Sequence, residues 1–367
     1  MKRALIVLLS LAVAGGLFAQ VSYSGFVNSG FQVVIPNEGD TTFHWYSNDA
    51  GGTYRFQFRA AYENEAGTVG ASGALRSNAG GFGFDGGNAW IKLMEKQLHI
   101  NVGTGGAGGF GSLGSFGDAN TAADGRFSLA FTPALDGVTF GIGLGINPAG
   151  SDATNTFTKA TYGAGLKFGL PNLLTAVVNG NYVPDTEVAN ANVGIQVAAL
   201  NAASGASGLT NLAVDLRAPN VTDLSYIGIG PLVALRVVGV GAGNLTATVY
   251  SRVFVPLNDD NDLDYYLGLD MTVPFTSAVS FNLNAAYEAN ATIGGPNATT
   301  GILGAANREG TGRAIGGSGD AGLIVRPQLA FTIGSGASIT TGWSVQALLA
   351  DEMFLQHAIY GFLNVNF

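Results

Sequence analysis

The sequence predicts an all-β chain that closes into a single transmembrane antiparallel up-and-down β-barrel of about 16–18 strands. Three observations predict it. Segments of about ten residues alternate apolar and polar side chains, the period of a strand with one oily and one wet face. The composition holds 56 Gly and 47% hydrophobic residues but only 11% charged ones. Beyond the N-terminal leader, no apolar run reaches the roughly 18 residues of a membrane-spanning helix. An apolar exported chain without such a helix has one main solution. Only helices and edge-free barrels satisfy every backbone polar group in lipid.

Export is read from the first residues. Lys2 and Arg3 form a charged start, and Ala4 to Ala14 an apolar core. Gly15, Gly16 and the run Leu17, Phe18, Ala19 follow. This is the plan of a secretory signal peptide cleaved after Ala19, although Leu17 replaces the small residue usual three places before the cut. The apolar core is too short to span a hydrocarbon layer of ~30 Å at 1.5 Å per residue. The expected organisation is a signal peptide over 1–19 and one barrel domain over 20–367. The chain has no Cys, so no disulfide supports it.

The strands follow in order. Thr53 to Tyr62 is the clearest, with Tyr54, Phe56, Phe58, Ala60 and Tyr62 on one face and Arg55, Gln57 and Arg59 on the other. Val21 to Val34 precedes it. Thr68 to Leu75, Asn88 to Leu93, Leu98 to Gly103 and Arg126 to Thr132 follow. Val138 to Ile146 sets Gly between Val138, Phe140, Ile142, Leu144 and Ile146. Next come Lys159 to Gly169, Leu173 to Tyr182, Ala191 to Leu200 and Asn211 to Arg217. Leu232 to Val240, Leu245 to Val255, Leu263 to Val273 and Val279 to Glu288 carry strong alternation. Ala321 to Ile333, Ser338 to Ala347 and Gln356 to Phe367 complete the set. The stretch from Ala191 to Gly230 parses less cleanly, which leaves 16 strands as the alternative to 18.

The connections carry independent information. Every second one is short, as at Met94 to Gln97, Leu170 to Asn172 and Gly241 to Asn244. The intervening ones are longer, as at Ile35 to Gly52, Thr104 to Gly125 and Ala289 to Asp320. Short turns on one side and long loops on the other are the habit of barrels in membranes.

The last strand alternates to the final residue. Phe367, Val365, Leu363 and Ile359 share one face; Asn366, Asn364, Phe362 and Tyr360 share the other. This resembles the C-terminal strand of Gram-negative outer-membrane β-barrels of the porin-like family, in which a terminal aromatic is the assembly signal. The resemblance spans the whole mature length. It implies a bacterial outer-membrane location, outer-membrane lipids and the barrel-assembly machinery as partners, and commonly a homotrimer. It also implies passive diffusion of small hydrophilic solutes, no cofactor and no enzymatic step. No nucleic acid partner is expected of so acidic a chain.

Without Lys2 and Arg3 the 16 basic side chains become 14 against 25 acidic ones, a net charge of about −11. Position matters more than the sum. Strand Arg and Lys residues keep parity with the polar face, where they stay hydrated; on the lipid face each costs ~2–4 kcal/mol. Arg55, Arg59, Lys159, Lys167, Arg252 and Arg326 are therefore the expected lumen-lining residues. Asp215, Asp270 and Glu288 fall in the strands, while most other acids sit in loops. A basic wall behind an acidic mouth predicts weak anion preference. The alternative is that these charges only pair or hydrate the lumen.

Other motifs are weaker. Gly103, Gly105 and Gly108 match a dinucleotide fingerprint, but no helix follows to complete it. The Gly-rich loop Thr104 to Gly125 folds into the barrel as a constriction or lies on the surface. Asp259, Asp260, Asp262 and Asp264 form an acidic cluster that would suit a hard cation only with more ligands, and a solvated loop is the plainer reading. His44, His99 and His357 lack metal-ligand spacing. A loop-plugged surface adhesin, an outer-membrane transporter of hydrophobic compounds and, more remotely, an outer-membrane hydrolase are the alternatives in function.

Overall fold

A computed structural model gives the fold. It describes residues 20–37, 39–46, 56–78, 81–103, 109–111, 113–114, 126–148, 157–197, 206–218, 220–222, 224–257, 263–289, 321–349 and 354–367. The leader over 1–19 lies outside them.

The strands are β1 (Gln20–Pro36), β2 (Thr42–Tyr46), β3 (Phe56–Glu63), β4 (Val69–Asn78) and β5 (Gly81–Leu93). Then come β6 (Leu98–Gly103), β7 (Phe127–Phe131), β8 (Thr139–Asn147), β9 (Thr161–Leu170) and β10 (Leu174–Val183). β11 (Val188–Val197), β12 (Gly208–Ala218), β13 (Tyr226–Val240), β14 (Gly243–Pro256) and β15 (Asp264–Pro274) follow. β16 (Val279–Ala289), β17 (Ala321–Ile333), β18 (Ala337–Leu349) and β19 (Phe354–Asn366) end the chain. All pairings are antiparallel neighbours in one sheet, and β1 pairs with β19 from Phe26↔Asn366 to Pro36↔Gln356. The sheet is thus a closed cylinder without an edge.

β2 and β3 count once around the wall. β1 pairs with β3 through Gln20–Val27 and with β2 through Gly30–Val34, so the two share one flank, one above the other. Nineteen segments therefore make an 18-strand barrel. Each predicted segment overlaps one of these strands, whereas β2 lies within Ile35 to Gly52, a connection in the sequence reading, and β5 begins at Gly81 rather than Asn88. The ragged region resolves into β11, β12 and a β13 that starts at Tyr226 rather than Leu232. Gly228, Gly230 and Pro231 hide that start, because they break the alternation on which the reading depended.

Gln20 pairs with Glu63 and Phe26 with Asn366, so the start of β1 and the end of β19 lie on the rim that carries the short turns. One such turn needs its glycine. Gly241 has φ +65°, and a Cβ there would stand 1.8 Å from the Pro274 carbonyl oxygen. The next amide, Ala242 N–H, bonds that oxygen at 3.0 Å.

The two faces separate as the alternation requires. On β19, Tyr360 is 1% exposed, whereas Ile359 and Leu363 are 48% and 42% exposed. Following the register around the wall places Arg59, Arg76, Lys92 and Lys167 on the Tyr360 side. Arg217, Arg236, Arg252 and Arg326 share that side. So do Glu63, Asp215 and Asp270. The other face carries Leu144, Leu166, Val178, Ile195, Leu267 and their neighbours, all exposed. An exposed apolar belt around an ionic interior is stable only with lipid outside and water within. Aromatic pairs flank the belt: Tyr23 on Phe58 at 5.8 Å, Phe56 on Phe367 at 6.3 Å, Tyr265 beside Tyr287 at 5.6 Å.

Candidate functional site: the lumen constriction

Residues 109–111 and 113–114 of the Gly-rich segment between β6 and β7 lie against the inner wall of the barrel. The inner face of β8 and β9 is built almost without side chains: Gly141, Gly143 and Gly145 stand opposite Lys167, Gly165 and Gly163. That bare patch receives Phe110, which is 2% exposed. A Cβ on Gly143 would lie 2.6 Å from the Phe110 ring, and one on Gly165 2.7 Å from its Cβ. The glycines between the outward residues of β8 thus make a socket.

Hydrogen bonds fix the loop beside this socket. Asn179 Nδ2 of β10 donates to the Phe110 carbonyl at 2.8 Å, fully buried. Asp215 of β12 accepts the Leu113 N–H on Oδ1 at 3.1 Å and the Gly114 N–H on Oδ2 at 2.7 Å. Charge-assisted bonds of this kind are roughly twice as strong as neutral ones. Asp215 has no exposed surface, so its charge serves the loop rather than the water path.

The remaining wall is polar and cross-linked. Tyr360 O–H donates to Gln328 Oε1 at 3.2 Å, Gln328 Nε2 to Asn284 Oδ1 at 2.8 Å, and Asn284 Nδ2 to Asp270 Oδ1 at 2.5 Å. Gly342 lies between Gln328 and Tyr360 in the register, which lets the first bond reach across a strand. On the other side, Ser72 Oγ donates to Asn88 Oδ1 at 2.5 Å and Asn88 Nδ2 to Asn101 Oδ1 at 3.0 Å. Near the rim of the short turns Lys92 pairs with Glu63 at 3.5 Å.

The expected lumen residues divide. Lys167 of β9 stands beside the loop, its Nζ 3.7 Å from a Cβ built on Gly109. Arg252 of β14 lies over the Tyr266 ring at 5.4 Å, and Tyr266 leans on Tyr250 at 5.8 Å. Arg326 of β17 is buried in the wall and Arg59 of β3 is exposed to the lumen. Arg55 lies outside the described residues. Lys159 departs from expectation: it ends a 3-10 turn, Phe157–Lys159, and β9 begins only at Thr161. Its parity had been extended past the strand. The Thr158 carbonyl accepts the Asp185 N–H at 2.8 Å, which ties the chain into the rim and leaves Lys159 exposed there.

Asp259, Asp260 and Asp262 lie outside the described residues, and Asp264 is the first residue of β15. Among the described residues no three His, Cys, Asp or Glu side chains are grouped to hold a metal ion. His44 lies in β2 and His99 takes an inward register, whereas His357 faces outward and stacks on Trp343 at 5.5 Å. The terminal strip Leu363, Val365 and Phe367 faces outward too, and Phe367 exchanges two backbone bonds with Gly25, at 2.8 and 3.0 Å.

Phe110 and Asn179 did not stand out in the sequence, and Asp215 stood out only as an acid within a strand. A signal was present for the first: a Phe inside a Gly-rich loop, and strands whose inward positions are Gly.

This fold and interior define the class: a closed antiparallel β-barrel of 18 strands with an apolar outer belt and a charged interior. No protein-family model and no curated protein matches the chain. Solved structures do. OpdL of Pseudomonas aeruginosa aligns with a TM-score of 0.55 at 12% identity, over 95% of this chain and 99% of that one. OpdO of the same species gives 0.55 at 14% identity, over 95% and 97%. OccAB4 of Acinetobacter baumannii gives 0.54 at 9% identity, over 96% and 99%. At these identities the likeness is one of fold.

Proposed function

We propose that the protein is an outer-membrane channel through which small hydrophilic solutes diffuse passively, with a weak preference for anions. One observation supports this reading: a closed 18-strand barrel, a size that leaves an aqueous path, carries charged side chains on its inner face and holds a Gly-rich segment against one side of it. Among the described side chains of the strands the inward register holds eight basic residues against three acidic ones, Glu63, Asp215 and Asp270. Glu63 is paired and Asp215 is engaged by loop amides, which leaves the excess positive. Arg59, Lys167, Arg252 and Arg326 are the selectivity residues of this reading. Selection then rests on width and charge and requires no catalytic group or cofactor.

The reading includes a leader over 1–19 removed on export, a barrel over 20–367, recognition of Phe367 by the assembly machinery and a homotrimer. Planar-bilayer recording tests its centre. Ohmic single-channel conductance, with a reversal potential displaced modestly towards anions in a salt gradient, is expected. A silent bilayer would favour a surface adhesin, and strong cation selectivity would overturn the charge assignment.

A further inference from the structure

The segment against the inner wall is held on two strands that are not neighbours. Asn179 of β10 bonds the Phe110 carbonyl, and Asp215 of β12 bonds the Leu113 and Gly114 amides. β11 runs between them, so the segment crosses that strand over about 10 Å, two strand spacings. Under the crossing lie the inward positions Asn192 and Gly194, register partners of Arg217 and Asp215. The segment packs closely on Gly194, where a Cβ would stand 3.2 Å from Leu113 Cβ. Asn192 is the register partner of Asn179 and is 3% exposed. Neither its Nδ2 nor its Oδ1 has a hydrogen-bond partner, and neither borders space that water can enter. A buried carboxamide left wholly unmet opposes the seating of the segment.

The next row, away from the short turns, shows what Asn192 lacks. Asn181 and Asn190 stand opposite each other on the same two strands, and Asn190 Nδ2 donates to Asn181 Oδ1 at 2.8 Å. Register pairs two residues apart on antiparallel strands are of the same backbone kind. Asn179 and Asn192 therefore have the backbone geometry for the same carboxamide bond. Seating competes with it, since Asn179 turns its Nδ2 to the Phe110 carbonyl. Two arrangements thus contend for one side chain. With the segment seated, Asn179 serves Phe110 and Asn192 is unmet. With it lifted, Asn179 and Asn192 pair as the next row does, and water meets what remains. The segment has the freedom to move: Gly109 takes φ +100°, and a Cβ on Gly111 would meet nothing within 4 Å.

We propose that Asn179 and Asn192 form a two-position latch, by which the segment through Phe110 and Gly114 alternates between a seated and a lifted state. Asp215 and the glycine socket favour the seated state; Asn192 favours the lifted one. The latch is a property of wall and segment, and only its effect on current rests on the channel reading.

The chain has no Cys, so Gly111→Cys gives a single site for a nitroxide label on the full barrel in lipid vesicles. Its electron paramagnetic resonance spectrum is expected to hold an immobile and a mobile component, the seated and lifted states. Asn192→Leu keeps the size of the side chain. It removes the unmet amide from the first state and the carboxamide pair from the second, and lowers the mobile-to-immobile ratio about tenfold. Asp215→Asn raises the ratio, and the double variant lies between. Should Asn192→Leu not fold, judged by the heat-shifted gel migration of a barrel, Asn192→Ala is read in the same way. A ratio that the Asn192 variant leaves unchanged or raises overturns the latch, as does a label that shows one component in every variant. In planar bilayers the dwell time at high conductance follows the same order. Spectra that obey it in a barrel that passes no current overturn the channel reading alone.

Discussion

Asp215 holds the Gly114 amide at 2.7 Å across 101 residues of sequence, and with it a segment of the Gly-rich loop against the inner wall. Its other oxygen holds the Leu113 amide. Asp215→Asn preserves the shape but supplies an N–H where an acceptor is needed. The unsatisfied loop amide and the lost charge together cost about 1–3 kcal/mol. The expected result is a looser loop, seen as higher open-channel noise with a similar mean conductance. Currents as quiet as those of the wild type would remove Asp215 from this role.

The glycine socket makes a separate prediction. At Gly143 even a Cβ lies 2.6 Å from the Phe110 ring. Gly143→Leu therefore cannot coexist with the seated ring, and the loop must leave the β8–β9 wall. A higher single-channel conductance is expected, whereas Ile142→Leu, one residue away on the outer face, leaves it unchanged. If both variants conduct alike, Phe110 is no pin.

The contrast between these two anchors and the wall around them explains what could be read in advance. Period two is local, so the inward placement of Arg59, Lys167, Arg252 and Arg326 was legible from each strand alone. The same rule failed at Lys159, because parity has meaning only while the strand lasts. It also missed the first residues of β13, where inward Gly228 and Gly230 carry no pattern. The loop seat was hidden for another reason. Phe110 meets residues of β8, β9 and β10, and Asp215 meets Leu113 and Gly114, contacts that only the closed cylinder creates.

The lipid-facing assignment can be challenged energetically. Ile142 points outward from β8, and Gln57 points inward from β3. Ile142→Arg should lower stability by about 2–4 kcal/mol if it lies near the midplane. Gln57→Arg should change it by about 0.5 kcal/mol or less, as at an ordinary hydrated surface. Urea unfolding from lipid vesicles measures both. Equal penalties would contradict the division of faces.

Charge reversal in the lumen addresses selectivity itself. Arg252 lies over the Tyr266 ring, so its guanidinium is held in place rather than free to swing into the path. Arg59, by contrast, is exposed inside the barrel. If basic side chains set a weak anion preference, each reversal moves the zero-current potential towards cations. The fixed charge should matter at all salt concentrations, since partly buried charges are screened little, while the exposed one should fade as the Debye length falls to about 3 Å near 1 M salt. Arg252→Glu is therefore expected to shift the reversal potential at both low and high salt, and Arg59→Glu mainly at low salt. Reversal potentials that stay with the wild type for both variants would leave the lumen charges a hydrating role only.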